Sequence, residues 1–333
     1  MQDFIKLLKD GNKPSLLAGV INTIIAILKG IAYMLTGNVA MFAETLHSLG
    51  DAANQFFVYI GSALSKKAPT PKFPNGFGRV VNLVCLGAVI VVAIMSYEAV
   101  KEGWHHILHP TETSGLAINL SVLGLAIVLE LYVLLKAAKE IAHETGNDAK
   151  GFKALLYSFT HLNSAKPATK LVFMEDLVAT IGGVLAFTAV LVAHFTGFLA
   201  AEGIASVLIG LMMFYVVGKI FLENARGAIG ETDEEMLNHI AYIVAEDPDV
   251  KDLQRVEVIK EGEFLHVEVV AEVDSSKTLE YIDDIRDRLL ALILKQKGVR
   301  EALISFDEDD GIKTWKGVNE LAISEEARKK LPE

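Results

Sequence analysis

Residues 39–61 read VAMFAETLHSLGDAANQFFVYIG, a stretch long and apolar enough to cross a lipid bilayer as one helix. Four polar residues interrupt it, namely Glu44, His47, Asp51 and Asn54. An ionisable side chain at the centre of a bilayer costs about 3 kcal/mol on insertion scales, so such residues by default mark a binding site or a pathway. The stretch therefore predicts a membrane helix that carries part of a functional site.

The composition extends this prediction to a whole membrane domain. The chain has 333 residues, 52% of them hydrophobic, and a mean hydropathy of +0.38, which is too apolar for an ordinary soluble protein of this size. Its single cysteine, Cys85, excludes a disulfide framework within one chain. We expect a transmembrane domain over residues 1–222 with six helical spans, at about 14–35, 39–61, 80–107, 115–137, 168–196 and 202–222.

Lysine and arginine mark alternate links between these spans. The segment before the first span carries Lys6, Lys9 and Lys13, and the links after spans two, four and six are also basic. The opposite links, TGN, HHILHPTETSG and HFTGFLAAEG, contain neither residue type. The positive-inside rule therefore predicts that both termini lie in the cytoplasm, and we expect an integral protein of a bacterial inner membrane.

Residues 223–333 have the pattern of a cytoplasmic α+β domain with the element order αββαβ. LQRVEVIKEGEFLHVEVVAEV alternates apolar and polar residues on both sides of KEGE, which predicts a β-hairpin. Helical spacing flanks it in DEEMLNHIAYIVAED and TLEYIDDIRDRLLALILKQ, and REALISFDED predicts a last strand. This order favours an antiparallel sheet with helices on one face. The acidic tail and a net charge of −11 argue against nucleic acid as a partner.

His47 and Asp51 lie four residues apart, so on a helix they point to the same side. A neutral imidazole and a carboxylate are ligands that Zn²⁺ and its neighbours prefer. The fifth span adds Glu175 and Asp176, with Asp176 about 13 Å from the start of that helix and therefore near the bilayer centre. The two spans run in opposite directions, so these residues can meet at one metal ion. If His47 and Asp51 are considered without the fifth span, a hydrogen bond between helices is the alternative to a metal site.

The same residues carry a resemblance to a known family. GNVAMFAETLHSLGDAANQ resembles the second helix of the cation diffusion facilitator family of the zinc-transporter type, and INTIIAILKGIAYMLTGN, FPNGFGR and EGIASVLIG resemble parts of its first, third and sixth helices. MEDLVATIGGVL and AIVLELYVLLKAAKE are most similar to the zinc-transporter-nine branch. The resemblance implies six transmembrane helices, a ferredoxin-like cytoplasmic domain, a homodimer, and a secondary transporter rather than an enzyme.

Matched position by position, the resemblance implies that His47, Asp51 and Asp176 are metal ligands. The family's upstream ligand on helix five falls at Val172, and valine cannot bind a metal. Another helix or a water molecule can complete the coordination shell. The nearby side chains that are candidates for this role are Glu175, which is less favoured as a ligand than its neighbour in sequence, and Asn54.

We therefore expect export of a divalent ion from the cytoplasm by alternating access, in exchange for protons. The chain has no nucleotide-binding GxxxxGK[ST] loop, so a gradient must supply the energy. Zn²⁺ suits histidine combined with carboxylates, and Mn²⁺, Fe²⁺, Co²⁺ and Cd²⁺ are alternatives. Because of Val172, a non-transporting partner subunit or a manganese- or iron-specific relative is the second interpretation. An intramembrane metalloenzyme is the third.

Other polar residues have simpler interpretations. Lys29 either snorkels to the interface or pairs with a carboxylate, and Glu130 either pairs with Lys29 or relays protons. Glu44 lies one helical turn toward the outside, where it can help to receive the ion. In FPNGFGR, phenylalanines stand where the family has accessory metal ligands, so no accessory site is expected there. His266 matches one position of a cytoplasmic metal cluster, but Phe306 replaces its partner, which favours a sheet histidine without metal.

Overall fold

The computed structural model describes Leu8 and residues 11–145, 147–162, 167–262 and 264–315. The chain divides into two compact units. One comprises Met1–Leu64 and Val81–Ala225, and the other comprises Ser65–Val80 and Arg226–Glu333. The basic residues Lys6 and Lys9 and the last part of the predicted tail domain, 316–333, lie outside the described residues.

Long helices build the first unit. From the N-terminus, the described residues form α1 (Lys13–Thr36), α2 (Val39–Ser65), α3 (Val80–Leu108), α4 (Leu116–Glu144), α5 (Phe152–His161), α6 (Pro167–Thr196) and α7 (Ala200–Ile229). Within the described ranges, five of these helices, α1, α3, α4, α6 and α7, are long and apolar enough to cross a membrane. α2 is not among the five, because polar residues such as Glu44, His47 and Asp51 lower its hydropathy. A sixth span therefore stays a prediction.

The link between α1 and α2 shows how local sequence sets the helix ends. The side-chain oxygen of Asn12 caps α1 by accepting a hydrogen bond from the backbone N–H of Ser15. Gly37 ends α1 with φ +69°, a conformation that favours glycine. The side chain of Asn38 then accepts the backbone N–H of Met41 at the start of α2. The Gly-Asn pair therefore stops one helix and starts the next within two residues.

The short helix α5 is an element that the sequence pattern does not predict, because the link between the fourth and fifth spans stands out mainly by its lysines. Its buried face includes Ala154 and Ser158, and the hydroxyl of Ser158 donates to the backbone oxygen of Ala138 at 3.1 Å. Ala154 packs in one cluster with Ile141 and Phe173. This packing extends α4 to Glu144, beyond the predicted end near residue 137.

Small side chains let the helices of the first unit approach one another closely. Ala40, Ala43 and Ala186 are fully buried in its largest apolar cluster. The backbones of α3 and α7 touch at two glycines, since a Cβ atom on Gly203 would lie 2.6 Å from the carbonyl oxygen of Gly103. Membrane helices associate through close packing of this kind, because lipid provides no hydrophobic force between them. The polar residues of α2 are held inside this packed unit.

The second unit confirms the predicted order αββαβ. It contains α8 (Glu234–Ala245), β1 (Val250–Glu261), β2 (Phe264–Val273), α9 (Leu279–Ile293) and β3 (Val299–Glu308). β1 and β2 form the predicted antiparallel hairpin at KEGE, where Gly262 has φ +69°. β3 pairs with β2 in parallel, so the predicted antiparallel sheet is wrong. The reason is α9, a helical crossover that allows the third strand to run in the same direction as the second.

The loop between α2 and α3 belongs to the second unit. Arg79 and Arg300 contact the two carboxylate oxygens of Glu261, at 3.6 Å from Oε1 and 3.0 Å from Oε2. Arg300 also donates to the backbone oxygen of Asn75 at 2.9 Å. Gly78 lies so close to the backbone of Glu261 that a Cβ atom there would clash. The loop is thus a structural part of this unit, which the expected domain boundary between residues 222 and 223 does not anticipate.

Candidate metal centre

α2 carries His47 and Asp51 on one side. His47 is 5% exposed, and its Nε2 atom lies 3.7 Å from Oδ2 of the half-buried Asp51. The same Nε2 atom is buried and has no hydrogen-bond partner among the described residues. Buried polar atoms normally have partners, so an unpartnered imidazole nitrogen beside a carboxylate is a ready pair of metal ligands.

α6 contributes Asp176 and Glu175. Oδ2 of Asp176 is buried and, within the described part of the chain, lacks a hydrogen-bond partner. Glu175 is engaged, because its Oε1 atom accepts a hydrogen bond from Nδ2 of Asn54 at 3.3 Å. Val172 is 46% exposed and supplies no ligand atom. Asp176 is therefore available to a metal ion, whereas the two candidates to replace the missing ligand are paired with each other.

The candidate ligands of α2 and α6 interact electrostatically, but their side chains do not surround a single point. Asp51 interacts with both Glu175 and Asp176, and His47 interacts with Asp176. In the residues that the structure describes, however, no three His, Cys, Asp or Glu side chains stand close enough together to hold a metal ion. The residue types fit Zn²⁺, and binding would require the ligands of α2 and α6 to move toward each other.

A buried ion triad, Lys29–Glu44–Glu130, joins α1, α2 and α4 near these residues. Nζ of Lys29 lies 2.6 Å from Oε2 of Glu44 and 2.9 Å from Oε1 of Glu130. The side chains of Lys29 and Glu44 are completely buried, and Glu130 is largely buried. Of the alternatives given for Lys29 and Glu130, the structure shows the ion pair between them. Glu44, expected from the sequence to help receive the ion, instead binds Lys29 in this structure.

A cavity of about 440 Å³ lies where α6 ends and α7 begins. Glu202 lines it and is 1% exposed, and its Oε1 atom accepts a hydrogen bond from the hydroxyl of Thr113 at 2.7 Å. Nε2 of the buried His106 lies 4.0 Å from the other oxygen of Glu202. The hydropathy pattern does not single out Glu202. The sequence feature that could have indicated Glu202 is its position in the first turn of α7, where the helix dipole favours a carboxylate.

In the second unit, His266 lies between two glutamates of the sheet. Its Nε2 atom is 3.1 Å from Oε1 of Glu268, and its Nδ1 atom is 3.6 Å from Oε2 of Glu301. Phe306 packs against the apolar core of this unit. These contacts support the interpretation of His266 as a sheet histidine with acidic neighbours.

Comparison with known proteins adds independent findings on the helical unit. Residues 15–227 match the family model described as the cation efflux transmembrane domain. This match covers more than half of the chain and includes α2 and α6, the helices that carry the candidate ligands.

Individual relatives extend the similarity beyond the helical unit. The mitochondrial proton-coupled zinc antiporter SLC30A9 of Mus musculus is 26% identical over 272 residues, which cover 80% of this chain and 46% of the relative. Its Xenopus laevis counterpart is 28% identical over 80% of this chain and 47% of its own length. The zinc transporter ZitB of Yersinia pseudotuberculosis is 24% identical over 83% of this chain and 84% of its own length. The chain thus spans about half the length of the SLC30A9 relatives.

Proposed function

The chain belongs to the cation efflux family, also known as the cation diffusion facilitators, and from this premise we propose that it exports a divalent metal ion in exchange for protons. It is an integral membrane protein with similarity to the zinc-transporter-nine branch. We take Zn²⁺ as the cargo because both kinds of relative are named as zinc transporters, and the SLC30A9 relatives are also named as proton-coupled. Since these relatives are transporters, no chemical reaction is assigned to the chain.

One observation of this chain carries the proposal. The helical membrane unit contains an unpartnered Nε2 atom of His47, the carboxylate of Asp51 and an unpartnered oxygen of Asp176, and all three are of the types that bind metal ions. A metal binds neutral imidazole and ionised carboxylate, so each proton that these groups gain displaces the ion, and each ion that binds releases protons. Competition for the same atoms is the physical basis of metal–proton exchange.

The arrangement of the chain in the membrane belongs to the same proposal. α2 is the sixth spanning helix, because Ala40, Met41 and Ala43 bury one side of it in the core of the helical unit. Both termini lie in the cytoplasm, and the site is exposed to each side of the membrane in turn. The family resemblance adds a homodimer. We expect this membrane to be a bacterial inner membrane, with the tail of the chain in the cytoplasm.

A second candidate function follows from Val172. Zn²⁺ sites are usually tetrahedral, and this position of α6 offers no ligand atom. A relative with altered specificity, for Mn²⁺ or Fe²⁺, or a partner subunit that does not transport, fits this departure. We favour zinc transport because Glu175 adjoins Asp176 in sequence and accepts a hydrogen bond from Asn54, so that either side chain can supply the missing ligand after rearrangement.

Flux into proteoliposomes tests the proposed function. Full-length protein is reconstituted, a fluorescent dye that responds to Zn²⁺, Mn²⁺ and Fe²⁺ is sealed inside, and a pH gradient is imposed after one of these ions is added outside. Uptake should follow the direction and size of the pH gradient and should be larger for Zn²⁺ than for Mn²⁺ or Fe²⁺. Preference for Mn²⁺ or Fe²⁺ would favour the second function, and the absence of flux for any of these ions would contradict transport by this chain alone.

A further inference from the structure

The Lys29–Glu44–Glu130 triad contains one cation and two carboxylates. The ammonium group of Lys29 binds one oxygen of each carboxylate and leaves the other oxygen of each without a hydrogen-bond partner among the described residues. The two unpartnered oxygens are Glu44 Oε1 and Glu130 Oε2. Both are buried, so each carboxylate of the triad keeps one oxygen in the interior that is able to accept a hydrogen bond or bind a proton.

Two successive glycines of α6 make room for these oxygens. A Cβ atom on Gly182 would lie 2.7 Å from Oε1 of Glu44, and one on Gly183 would lie 3.2 Å from Oε2 of Glu130. The unpartnered edge of each carboxylate is thus turned toward the helix that also carries Asp176. Gly182 follows Asp176 by six residues, which is about 9 Å along the helix axis.

The charges of the triad do not balance when every group is ionised. Two carboxylates and one ammonium leave a net charge of −1 on side chains that are completely or largely buried. An uncompensated buried charge is strongly disfavoured, and the simplest compensation is a proton on one carboxylate. A protonated oxygen at either unpartnered position would turn the triad into a neutral group.

We propose that the Lys29–Glu44–Glu130 triad is a proton-binding site, separate from the metal ligands, that holds one exchangeable proton on the carboxylate oxygens facing Gly182 and Gly183. Its use in metal–proton exchange rests on the proposed function, whereas proton binding by the triad does not. In the step itself, the O–H bond of one carboxylic acid breaks, the electron pair stays on oxygen, and the proton passes to water.

Electrostatics couples this proton to the metal ion. The titratable groups that face the triad from the packed helices are His47 and Asp51 on α2 and Asp176 on α6, and they interact with Lys29, Glu44 or Glu130 through space. A doubly charged cation among these three groups would disfavour the extra proton on the triad. By thermodynamic reciprocity, the proton would then weaken metal binding by the same factor.

Calorimetry of Zn²⁺ binding tests the coupling. The number of protons released per ion is measured for detergent-purified full-length protein in two buffers with different ionisation enthalpies. Glu130→Gln should still bind Zn²⁺ but should release about one proton fewer per ion than the unmodified protein. Glu44→Gln, a change on a different helix, should have the same effect. The matched control is Glu98→Gln, which changes an exposed glutamate paired with Lys101 and should release as many protons as the unmodified protein.

Infrared difference spectroscopy on metal-free protein tests proton binding itself. The unmodified protein at neutral pH should show the C=O stretch of a protonated carboxylic acid, and part of this band should disappear in Glu130→Gln or Glu44→Gln but not in Glu98→Gln. An unchanged band in both triad variants, or unchanged proton release in calorimetry, would overturn the proposal. If the unmodified protein bound no Zn²⁺, the proposed function would fail, while the infrared band would still decide whether the triad binds a proton.

Discussion

The Nε2 atom of His47 lies 3.7 Å from Oδ2 of Asp51, one turn further along α2, and is buried without a hydrogen-bond partner among the described residues. The distance is too long for a hydrogen bond, so the two groups lie side by side on the helix without a hydrogen bond between them. The imidazole nitrogen of His47 therefore has a free lone pair beside a carboxylate, which is the arrangement that the proposed metal site requires. Further ligands would have to come from another helix, and α6 carries Asp176 and Glu175.

On α6, we expect Asp176 to contribute more to metal binding than Glu175. Asp176→Asn should weaken Zn²⁺ binding at least about ten-fold, or about 1.4 kcal/mol, because it removes an ionised ligand. Glu175→Gln should weaken it by less than about three-fold, since Glu175 is engaged by Asn54. Titration calorimetry on the purified full-length protein measures both. The opposite ranking would assign the ligand to Glu175.

The glycine that accommodates the Glu44 carboxylate is expected to be sensitive to substitution. Gly182→Ala would place a Cβ atom 2.7 Å from Oε1 of Glu44, a carboxylate whose other oxygen binds Lys29, so the ion pair or the helix must shift. Overpacking of this kind costs about 1–3 kcal/mol, which should appear as a lower melting temperature in detergent.

The matched control for that substitution is Gly218→Ala on α7. Nothing lies within 4 Å of a Cβ atom at Gly218, and alanine favours a helix over glycine by about 1 kcal/mol. The control should therefore melt at the same or a higher temperature. Equal stability of the two variants would mean that the close approach of Gly182 to Glu44 is unimportant.

In the second unit, Glu272 should limit stability at neutral pH. Its Oε1 atom accepts a hydrogen bond from Gln254, whereas its Oε2 atom has no partner in the described part of the chain. Burial, reinforced by Asp310 and other acidic neighbours, raises the pKa of the Glu272 carboxyl above its ordinary value, and the hydrogen bond from Gln254 only partly opposes this. Folding therefore favours the neutral form, so stability is greatest below the unfolded-state pKa and falls as pH rises through the folded-state pKa.

Glu272→Gln should accordingly raise the melting temperature of this unit by about 3 °C at pH 7, and the gain should vanish below about pH 4. Trp315, which packs on the core of the second unit, reports its unfolding by fluorescence once Trp104 is replaced by phenylalanine. The exposed Glu308→Gln on β3 is the control and should change little. A loss of stability in Glu272→Gln at pH 7 would show that the ionised carboxylate is stabilising.

Orientation in the membrane can be tested with single introduced cysteines. The natural Cys85 is 3% exposed and should not react, so the unmodified protein is the background. A membrane-impermeant maleimide added to intact cells should label Thr111→Cys, between α3 and α4. It should label Asn75→Cys, between α2 and α3, only after permeabilisation. The reverse pattern would invert the proposed topology.

Sequence patterns predicted most of the fold because helices of this length and strands of strict alternation are strong local signals. The hairpin at KEGE and the helix Leu279–Ile293 are examples. The parallel pairing of β3 was missed because it depends on how the crossover helix packs, which periodicity does not encode. The pattern does not predict α5, because a helix of 10 residues makes fewer than about three turns and so offers little periodicity.

For the candidate site, the spacing of His47 and Asp51 correctly placed both residues on one side of a helix. The pairing of Lys29 with Glu130 was also foreseeable, because a charge inside a membrane protein needs a partner. The role of Glu44 in the same triad and the space left by Gly182 were not predictable. Both depend on contacts between helices that are distant in sequence.

The most direct test of the central claim is pH-driven Zn²⁺ uptake by proteoliposomes that contain His47→Ala, with His109→Ala, an exposed histidine beyond the end of α3, as the matched control. The account predicts that His47→Ala is incorporated at the normal level but loses pH-driven uptake, whereas the control transports like the unmodified protein. Uptake by His47→Ala at the rate of the unmodified protein would contradict the assignment of this residue as a transport ligand.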